Sequence, residues 1–166
     1  ESLDGDIIVN IQGDEPLITS KAVETVIQPL LDDPGIPMTT LAHRIRRLED
    51  LLNPHMGKVV FDAQGFALYF SRSPLPYPGL EPTDISILTD TAYYNTVGLY
   101  GYRRDFLTTF AELPPTPLEQ TERLEQLRAL EHGYSIKVME TDYTPLGVDI
   151  PADLVKATKR LMEEAQ

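Results

Sequence analysis

Cysteine is absent from the 166 residues of the chain. Its absence excludes disulfides, thiol nucleophiles and cysteine-based zinc sites, and it is compatible with a reducing compartment. Histidine is scarce, since the chain has 3 scattered residues, His43, His55 and His132. A histidine-rich metal site is therefore not expected.

Long apolar runs and basic charge are also lacking. No segment approaches the ~18 consecutive apolar residues that span a bilayer, and Glu1–Asp4 lacks the basic and apolar regions of a secretory signal. The 14 Lys and Arg against 26 Asp and Glu give a net charge of −12, which disfavours nucleic acid because like charges repel. We expect a cytoplasmic protein with no membrane or nucleic-acid partner. A small phosphate ligand stays compatible with this charge, because cations and backbone N–H groups can hold it.

The chain does contain enough apolar side chain for a packed core, at 42% of residues. Ile7–Ile11 is apolar and β-branched at nearly every position, which is typical of a strand covered on both faces. Ser20 is predicted to cap a helix from Lys21 to about Leu31. Further strand-like and helix-like segments alternate after it. The pattern predicts a single α/β domain over residues 1–166, with a mixed, mainly parallel sheet flanked by helices.

The middle of the chain interrupts this alternation. Lys58–Phe61 and Phe66–Phe70 flank a Gly-containing turn and predict a β-hairpin insertion. Residues 72–93 are rich in proline without a clear period, and we expect a functional lid or an interface arm there. After it, one helix is predicted from Pro117 to about Glu131, with Thr116 as its N-cap.

Two loops place a glycine and a carboxylate where α/β sheets bind ligands, beyond strand ends or at helix starts. Gln12–Pro16 follows the most strand-like segment, and Gly147–Pro151 opens the last helix. Asp14 and Asp149 together match what Mg²⁺ needs, one or two carboxylates beside substrate phosphates. Taken singly, each has an ordinary explanation: a strand-ending turn for Asp14 and the helix N-terminus for Asp149.

Six segments in a fixed order carry a resemblance to a known family. They are Ile8–Pro16, Ala67–Arg72, Gly98–Tyr102, Pro117–Gln120, Leu124–Arg128 and Gly147–Asp149. In this order they closely resemble the 3-deoxy-manno-octulosonate cytidylyltransferases, or CMP-Kdo synthetases. The resemblance implies a Rossmann-like, nucleotide-diphospho-sugar transferase-like fold. It also implies a reaction in which the anomeric hydroxyl of 3-deoxy-D-manno-octulosonate (Kdo) attacks the α-phosphate of CTP, releasing pyrophosphate and giving CMP-Kdo for lipopolysaccharide synthesis.

The resemblance also assigns roles to individual residues. Asp14 and Asp149 match the family's catalytic Mg²⁺-binding acids, so Mg²⁺ is the implied cofactor. Arg72 is expected to meet the carboxylate of the sugar, because a guanidinium binds it bidentately; a surface arginine that ends a strand is the alternative. The implied substrate-binding residues are Gln12, Gly13, Arg72, Thr96, Tyr100, Glu125 and Gln126.

Several of these positions have a second interpretation. Glu125 and Gln126 lie in the predicted helix, where a solvated face is the alternative to sugar binding. Lys58 aligns with a lysine of the family, and an exposed strand lysine is nearly as good an explanation. His55 and His132 match no motif and are expected to be ordinary surface residues.

The chain departs from the family pattern at three places. Thr96 stands where the family usually has a histidine that contacts the sugar, and Ile150 stands where a threonine usually caps the last helix. The strand and the basic, Gly-containing loop that grip the CTP triphosphate are not in the sequence. We therefore expect a partial nucleotidyltransferase domain without its N-terminal CTP-binding segment, with little or no transferase activity alone.

Two alternatives follow from these departures. Thr96 keeps open a cytidylyltransferase for another α-keto acid sugar, such as a Kdo analogue or a sialic acid. The shortened sequence keeps open a non-catalytic dimerisation or binding module. The hairpin from Lys58 to Ser71 and the arm after it resemble the family's dimer-forming region, so a homodimer is expected.

Overall fold

A computed structural model describes residues 5–79, 87–145 and 151–164 of the chain. The strands are β1 (Ile7–Ile11), β2 (Met38–Arg44), β3 (Lys58–Phe61), β4 (Ala67–Ser71), β5 (Tyr94–Arg103) and β6 (Ile136–Thr141). The helices are α1 (Ser20–Asp32), α2 (Leu48–Leu52), α3 (Ile87–Asp90), α4 (Arg104–Glu112), α5 (Pro117–Glu122), α6 (Gln126–Glu131) and α7 (Pro151–Glu164). The predicted α/β class is confirmed.

The sheet is mixed, but its pairings are not mainly parallel as predicted. The strand order is β4-β3-β5-β2-β6, with β1 also paired to β5. Within the described residues β2 and β6 are the parallel pair, whereas β1, β2 and β3 all run antiparallel to β5, as β4 does to β3. The reason is that β5 runs in the reverse direction between β1 and β2. Both of these strands still point the same way as β6, so three carboxyl ends lie at one edge of the sheet.

One edge of β5 is shared by two strands. β1 pairs with its second half, from Leu99 to Arg103, and β3 pairs with Tyr94 and Asn95 near its start. β1 thus ends close to where β3 begins, and the sheet forks beside residues 96–98. A cleft opens beside this fork.

Helices cover both faces of the sheet, because successive side chains of a strand alternate between faces. On one face Val97 and Leu99 of β5 pack with Val26 of α1. On the other face Tyr102 packs with Phe106 of α4 and Leu127 of α6. These side chains are buried, and they fix the orientation of β5 and therefore of the fork.

Two local features differ from the sequence-based expectations. Thr19, not Ser20, caps α1, since its Oγ accepts a hydrogen bond from the backbone N–H of Ala22 at 3.2 Å. The helix predicted from Pro117 to Glu131 is broken into α5 and α6 at Arg123, whose φ of 55° and ψ of 48° are left-handed. The leucine period continues through the break, so the pattern alone could not show it.

The last helix, α7, leaves apolar side chains in solvent. Leu154, Val155 and Met162 are 58%, 70% and 64% exposed, while Ala157 is buried. Among the described helices, none combines the length and the apolar character of a membrane span. Asp149 and Ile150, which precede α7, lie outside the described residues.

Candidate active site

A cleft of about 990 Å³ opens at the edge where β1, β2 and β6 end. Its lining comes from loops that follow those strands, at residues 12–15, 44–47 and 142–145, and from the segments 53–57 and 123–126. Ligands of α/β proteins bind at this edge because the loops there converge from several strands. The cleft is therefore the candidate site.

The structure brings most of the predicted site residues together in this cleft. Gly13 is exposed in the first loop without itself lining the cleft, and Asp149 lies outside the described residues. The predicted residues that line the cleft are Gln12, Asp14, Arg72, Thr96, Tyr100, Glu125 and Gln126. Segments that are far apart in the chain thus meet where the sequence predicted a ligand.

The loop after β1 is held by Glu15, a residue that the sequence reasoning did not select. Its carboxylate is buried, and it accepts hydrogen bonds from the Gly98 backbone N–H at 3.3 Å and the Tyr143 hydroxyl at 3.1 Å. Burial raises the pKa of Glu15 and nearby Asp14 adds to this, while the two hydrogen bonds oppose it. A second carboxylate directly after Asp14 was the available sequence signal.

Asp14 itself is half-buried on the cleft wall. Its carboxylate makes no hydrogen bond or ion pair with any residue that the structure describes. The anchoring of its neighbour Glu15 therefore leaves Asp14 with both oxygen atoms available to a ligand.

Tyr100 lies near two walls of the cleft, the loop after β1 and the segment 123–126. Its side chain is 7% exposed, and burial raises the pKa of its phenol. Tyr102 raises it further, as do the carboxylates of Glu125, Asp14 and Glu15, which places Tyr100 within electrostatic reach of both walls. The phenol stays protonated and can donate a hydrogen bond to a ligand.

Two buried amide side chains that line the cleft have unpartnered atoms. Asn95 is 2% exposed and Gln126 is 5% exposed, and both line the cleft. The Oδ1 atom of Asn95 and the Nε2 atom of Gln126 have no hydrogen-bond partner among the described residues. Buried polar atoms are nearly always paired, so an acceptor and a donor are left for a ligand.

Thr96 turns its hydroxyl towards the protein. Its Oγ donates to the carbonyl oxygen of Gly57 at 3.1 Å, and its backbone N–H donates to the same oxygen at 2.8 Å. A Cβ atom on Gly57 would lie 2.9 Å from this Oγ, so the two segments touch through the glycine. Thr96 therefore fixes the 53–57 segment, and its methyl group and backbone are what remain for a ligand.

Arg72 uses most of its donors on backbone carbonyls. Nε donates to Glu122 O at 2.9 Å, Nη1 to Pro54 O at 3.1 Å and His55 O at 3.3 Å, and Nη2 to Arg123 O at 3.2 Å. A guanidinium has five N–H groups, so one is left on Nη2. In this conformation Arg72 can offer a single hydrogen bond to a carboxylate, not the bidentate pair that was predicted.

The break at Arg123 determines how Glu125 and Gln126 are presented. Glu125 occupies the N-cap position of α6 and is exposed at the rim of the cleft, whereas Gln126 begins the helix and is buried. In an unbroken helix both residues would lie in mid-helix. A left-handed residue other than glycine costs of order 1 kcal/mol or more, and Arg72 holds the carbonyl group at that point.

Lys58 is completely buried, which excludes the exposed strand lysine considered above. Its Nζ donates to Asn53 O at 2.6 Å and Met56 O at 2.7 Å. Burial lowers the pKa of Lys58 to about 8; the charge of Arg72 adds to this, and Glu122 opposes it. His55 and His132 are exposed as predicted, but His55 also lines the cleft.

The cleft concentrates arginine within an acidic chain. Its five arginines are Arg44, Arg46, Arg47, Arg72 and Arg123, and its acids are Asp14, Glu15, Asp50, Glu125 and Asp142. Among the described residues of the cleft the opposite charges are therefore equal in number, although the whole chain carries −12. Arg46 is exposed and pairs with no described residue, so its guanidinium is available to an anionic ligand.

The acidic groups of the cleft supply part of what a bound metal ion would need. No three His, Asp or Glu side chains cluster as a metal site within residues 5–79, 87–145 and 151–164. Mg²⁺ is usually held by one or two carboxylates and by substrate phosphates, not by a cage of protein groups. The available oxygens of Asp14 fit that requirement.

Comparison with known proteins identifies the family. Residues 1–138 match the family model described as cytidylyltransferase. The chain belongs to the cytidylyltransferase family. This membership agrees with the segments on which the resemblance was based.

Named relatives of this cytidylyltransferase-family chain include 3-deoxy-manno-octulosonate cytidylyltransferases. That of Geotalea uraniireducens (strain Rf4) is 54% identical over 96% of this chain and 65% of its own length. That of Geobacter sulfurreducens is 51% identical over 94% of this chain and 64% of its own length. The chain thus spans about two thirds of the length of these relatives, or slightly less.

Solved structures give the same fold. CMP:2-keto-3-deoxy-manno-octonic acid synthetase complexed with CTP aligns with a TM-score of 0.85 and 40% identity, over 98% of this chain and 64% of that one. A glucose-1-phosphate thymidylyltransferase from Bacillus anthracis aligns with a TM-score of 0.54 and 16% identity, over 93% of this chain and 54% of that one. The first match supports the fold and the family, and the second supports the fold alone.

Proposed function

We propose that the chain is the larger part of a 3-deoxy-manno-octulosonate cytidylyltransferase, which transfers CMP from CTP to the anomeric hydroxyl of Kdo. The observation that carries this proposal is the convergence of seven resemblance-implied residues on one cleft. The names of the relatives and the CTP complex of the similar structure support it. The product would be the activated sugar used in lipopolysaccharide synthesis.

The reaction exchanges one phosphorus–oxygen bond for another. The anomeric oxygen of the sugar bonds to the α-phosphorus of CTP, the bond from that phosphorus to the bridging oxygen breaks, and pyrophosphate leaves with the electron pair. The hydroxyl proton passes to solvent. Catalysis of such transfers depends chiefly on positioning and on neutralising charge.

The chain supplies several groups that can position an acidic sugar. The free amide atoms of Asn95 and Gln126 and the protonated phenol of Tyr100 can bind hydroxyl groups. Gln12 and the remaining N–H of Arg72 face the same space. A guanidinium such as Arg46 can offer the charge that a sugar carboxylate requires.

Mg²⁺ is the proposed cofactor, with Asp14 and Asp149 as its protein ligands. Asp14 has the free oxygen atoms for this role. When bound, the metal supplies neutralisation of phosphate charge in the transition state. Asp14 contributes the carboxylate on the β1 side, while Glu15 keeps the loop in place through Gly98 and Tyr143.

The decisive test is pyrophosphate release by the complete gene product in the presence of CTP, Kdo and Mg²⁺. Release that depends on all three supports the proposal. Specific binding of Kdo without any transfer by the complete product would favour the non-catalytic binding module instead.

Thr96 supports a second candidate, a cytidylyltransferase for a related α-keto acid sugar. It stands where the family usually has a histidine, and its hydroxyl already donates to Gly57 O, so this position offers a sugar neither an imidazole nor that hydroxyl proton. Comparing CMP transfer to Kdo, to Kdo analogues and to N-acetylneuraminate separates the two candidates. A higher kcat/KM for a sugar other than Kdo would reassign the substrate.

A homodimer and a cytoplasmic location complete the proposal. β4 is the outer strand of the sheet order, and its Leu68 is 63% exposed. Tyr77, on the arm after the hairpin, is 69% exposed. Apolar groups at a free sheet edge favour association. Sedimentation equilibrium at micromolar concentration tests this, and a monomer that persists after concentration would contradict it.

A further inference from the structure

The segment 53–57 forms one wall of the cleft, and its backbone carbonyls converge on two cations. Lys58 Nζ donates to two carbonyl oxygens, at 2.6 and 2.7 Å, and Arg72 Nη1 donates to the two between them, at 3.1 and 3.3 Å. In chain order the four acceptors are the carbonyl groups of Asn53, Pro54, His55 and Met56. An irregular loop has no ladder to satisfy these groups; Asn53 O also accepts the backbone N–H of Met56 at 3.2 Å, and the cations supply the other hydrogen bonds.

Of the two cations, Arg72 also reaches a second wall of the cleft, the segment 123–126. Arg72 donates from Nε and Nη2 to the carbonyls of Glu122 and Arg123, where α5 breaks. The Glu122 carboxylate in turn accepts the Arg72 backbone N–H at 2.9 Å and the Ser71 hydroxyl at 2.6 Å. One continuous network therefore joins the 53–57 segment to the break that precedes Gln126.

Lys58 occupies the interior of this network with none of its surface exposed. A buried ammonium group loses its hydration and is costly unless hydrogen bonds replace the water. Here the replacements are carbonyl groups of the cleft wall. The carbonyl oxygen of Gly57, the last residue of that wall, accepts two hydrogen bonds from Thr96. A shift of the wall would therefore also move Thr96.

We propose that Lys58 is a positioning residue, whose buried ammonium group acts with Arg72 to hold the 53–57 wall against the break at Arg123. Together they determine the positions of Thr96 and Gln126 in the cleft. Lys58 does not touch the substrate. The binding test below uses Kdo and therefore rests on the proposed function, whereas the hydrogen–deuterium exchange test does not depend on it.

The structural test is hydrogen–deuterium exchange on Lys58→Met, a variant of similar length without charge. We expect faster exchange both in residues 53–57 and in residues 123–127, because the two walls share one network. Lys137→Met is the matched control, since Lys137 also lies on a strand and donates to a loop carbonyl, that of Gln64. It should loosen the hairpin turn and leave the cleft walls unchanged.

The absence of cysteine permits a rescue experiment at this one position. Lys58→Cys, alkylated with 2-bromoethylamine while unfolded and then refolded, carries an ammonium group on a chain of nearly the same length. We expect it to restore slow exchange in both walls. Lys58→Gln, which retains an uncharged NH2 donor group on a shorter side chain, is used if Lys58→Met does not fold, and it should show intermediate protection.

The functional readout is calorimetric binding of Kdo. We expect about 10-fold weaker binding by Lys58→Met, recovery after aminoethylation, and no change for Lys137→Met. Unchanged exchange at residues 123–127 in Lys58→Met, or unchanged affinity, would overturn the inference. If the unmodified chain and the complete gene product both fail to bind Kdo, the proposed function fails, and the exchange data still decide the role of Lys58.

Discussion

The backbone N–H of Gly98 donates to the carboxylate of Glu15 at 3.3 Å, and the two residues are so close that a side chain at position 98 has no room. A Cβ atom there would lie 3.0 Å from Glu15 Cγ and 2.9 Å from Gln12 Oε1. The loop that carries Asp14 is thus seated directly on the middle of β5.

Gly98→Ala should displace this loop. We expect a loss of about 1–3 kcal/mol in the free energy of unfolding from overpacking, together with weaker ligand binding because Gln12 and Asp14 move. Urea denaturation and calorimetry measure the two effects. Gly5→Ala is the control, since the added Cβ would have an ordinary contact of 3.7 Å with Ile7 O. Equal behaviour of the two variants would refute the prediction.

Tyr143→Phe should destabilise the protein through Glu15. The Tyr143 hydroxyl donates to a buried carboxylate oxygen at 3.1 Å, and removing it leaves that oxygen short of a partner, at a cost of about 1–3 kcal/mol. Tyr94→Phe removes a similar hydrogen bond, to Glu140 at 3.1 Å, but that site is exposed and should cost less than about 1 kcal/mol. Equilibrium urea denaturation of both variants makes the comparison, and similar costs would contradict it.

The buried ammonium of Lys58 should make stability depend on pH in the alkaline range. Burial lowers its pKa from 10.5 to about 8 in the folded state, so between these values the unfolded chain binds more protons. The contribution of Lys58 to stability therefore increases from about pH 8 to about pH 10.5, by up to about 1.4 kcal/mol per pH unit. The neutral amine keeps two N–H groups for its two carbonyl acceptors.

This rise is measured as the difference in unfolding free energy between the original chain and Lys58→Met at several pH values. The groups that act on Lys58 are Arg72 and Glu122, and neither is changed by the substitution. A difference that stays flat from pH 7 to pH 10 would show that Lys58 titrates normally.

Asp14→Asn should abolish metal-dependent transfer without unfolding the protein. Since the Asp14 carboxylate pairs with no described residue, we expect little change in stability, and a loss of about 100-fold or more in kcat of the complete gene product. The control is Asp142→Asn, which changes an exposed carboxylate of the same cleft and should leave kcat nearly unchanged. A loss of activity in Asp142→Asn with normal activity in Asp14→Asn would move the metal site to the end of β6.

Sequence patterns were most reliable where a single strand or helix decided the outcome. Ile7–Ile11 and the hairpin strands were visible because their apolar and β-branched residues are local signals. The balance of parallel and antiparallel pairs was not visible, because strand direction depends on which partner each strand finds. The break at Arg123 was hidden for a similar reason, since contacts with Arg72, far away in the chain, hold it.

The sequence determined the α/β class, the order of the family-like segments and seven of the residues that line the cleft, because each is encoded in short motifs. Only the tertiary structure decided what several of those residues do. It placed Arg72 on backbone carbonyls, buried Lys58 behind the cleft wall and made Glu15 the anchor of the Asp14 loop. These roles depend on hydrogen bonds between segments distant in the chain, which no local pattern contains.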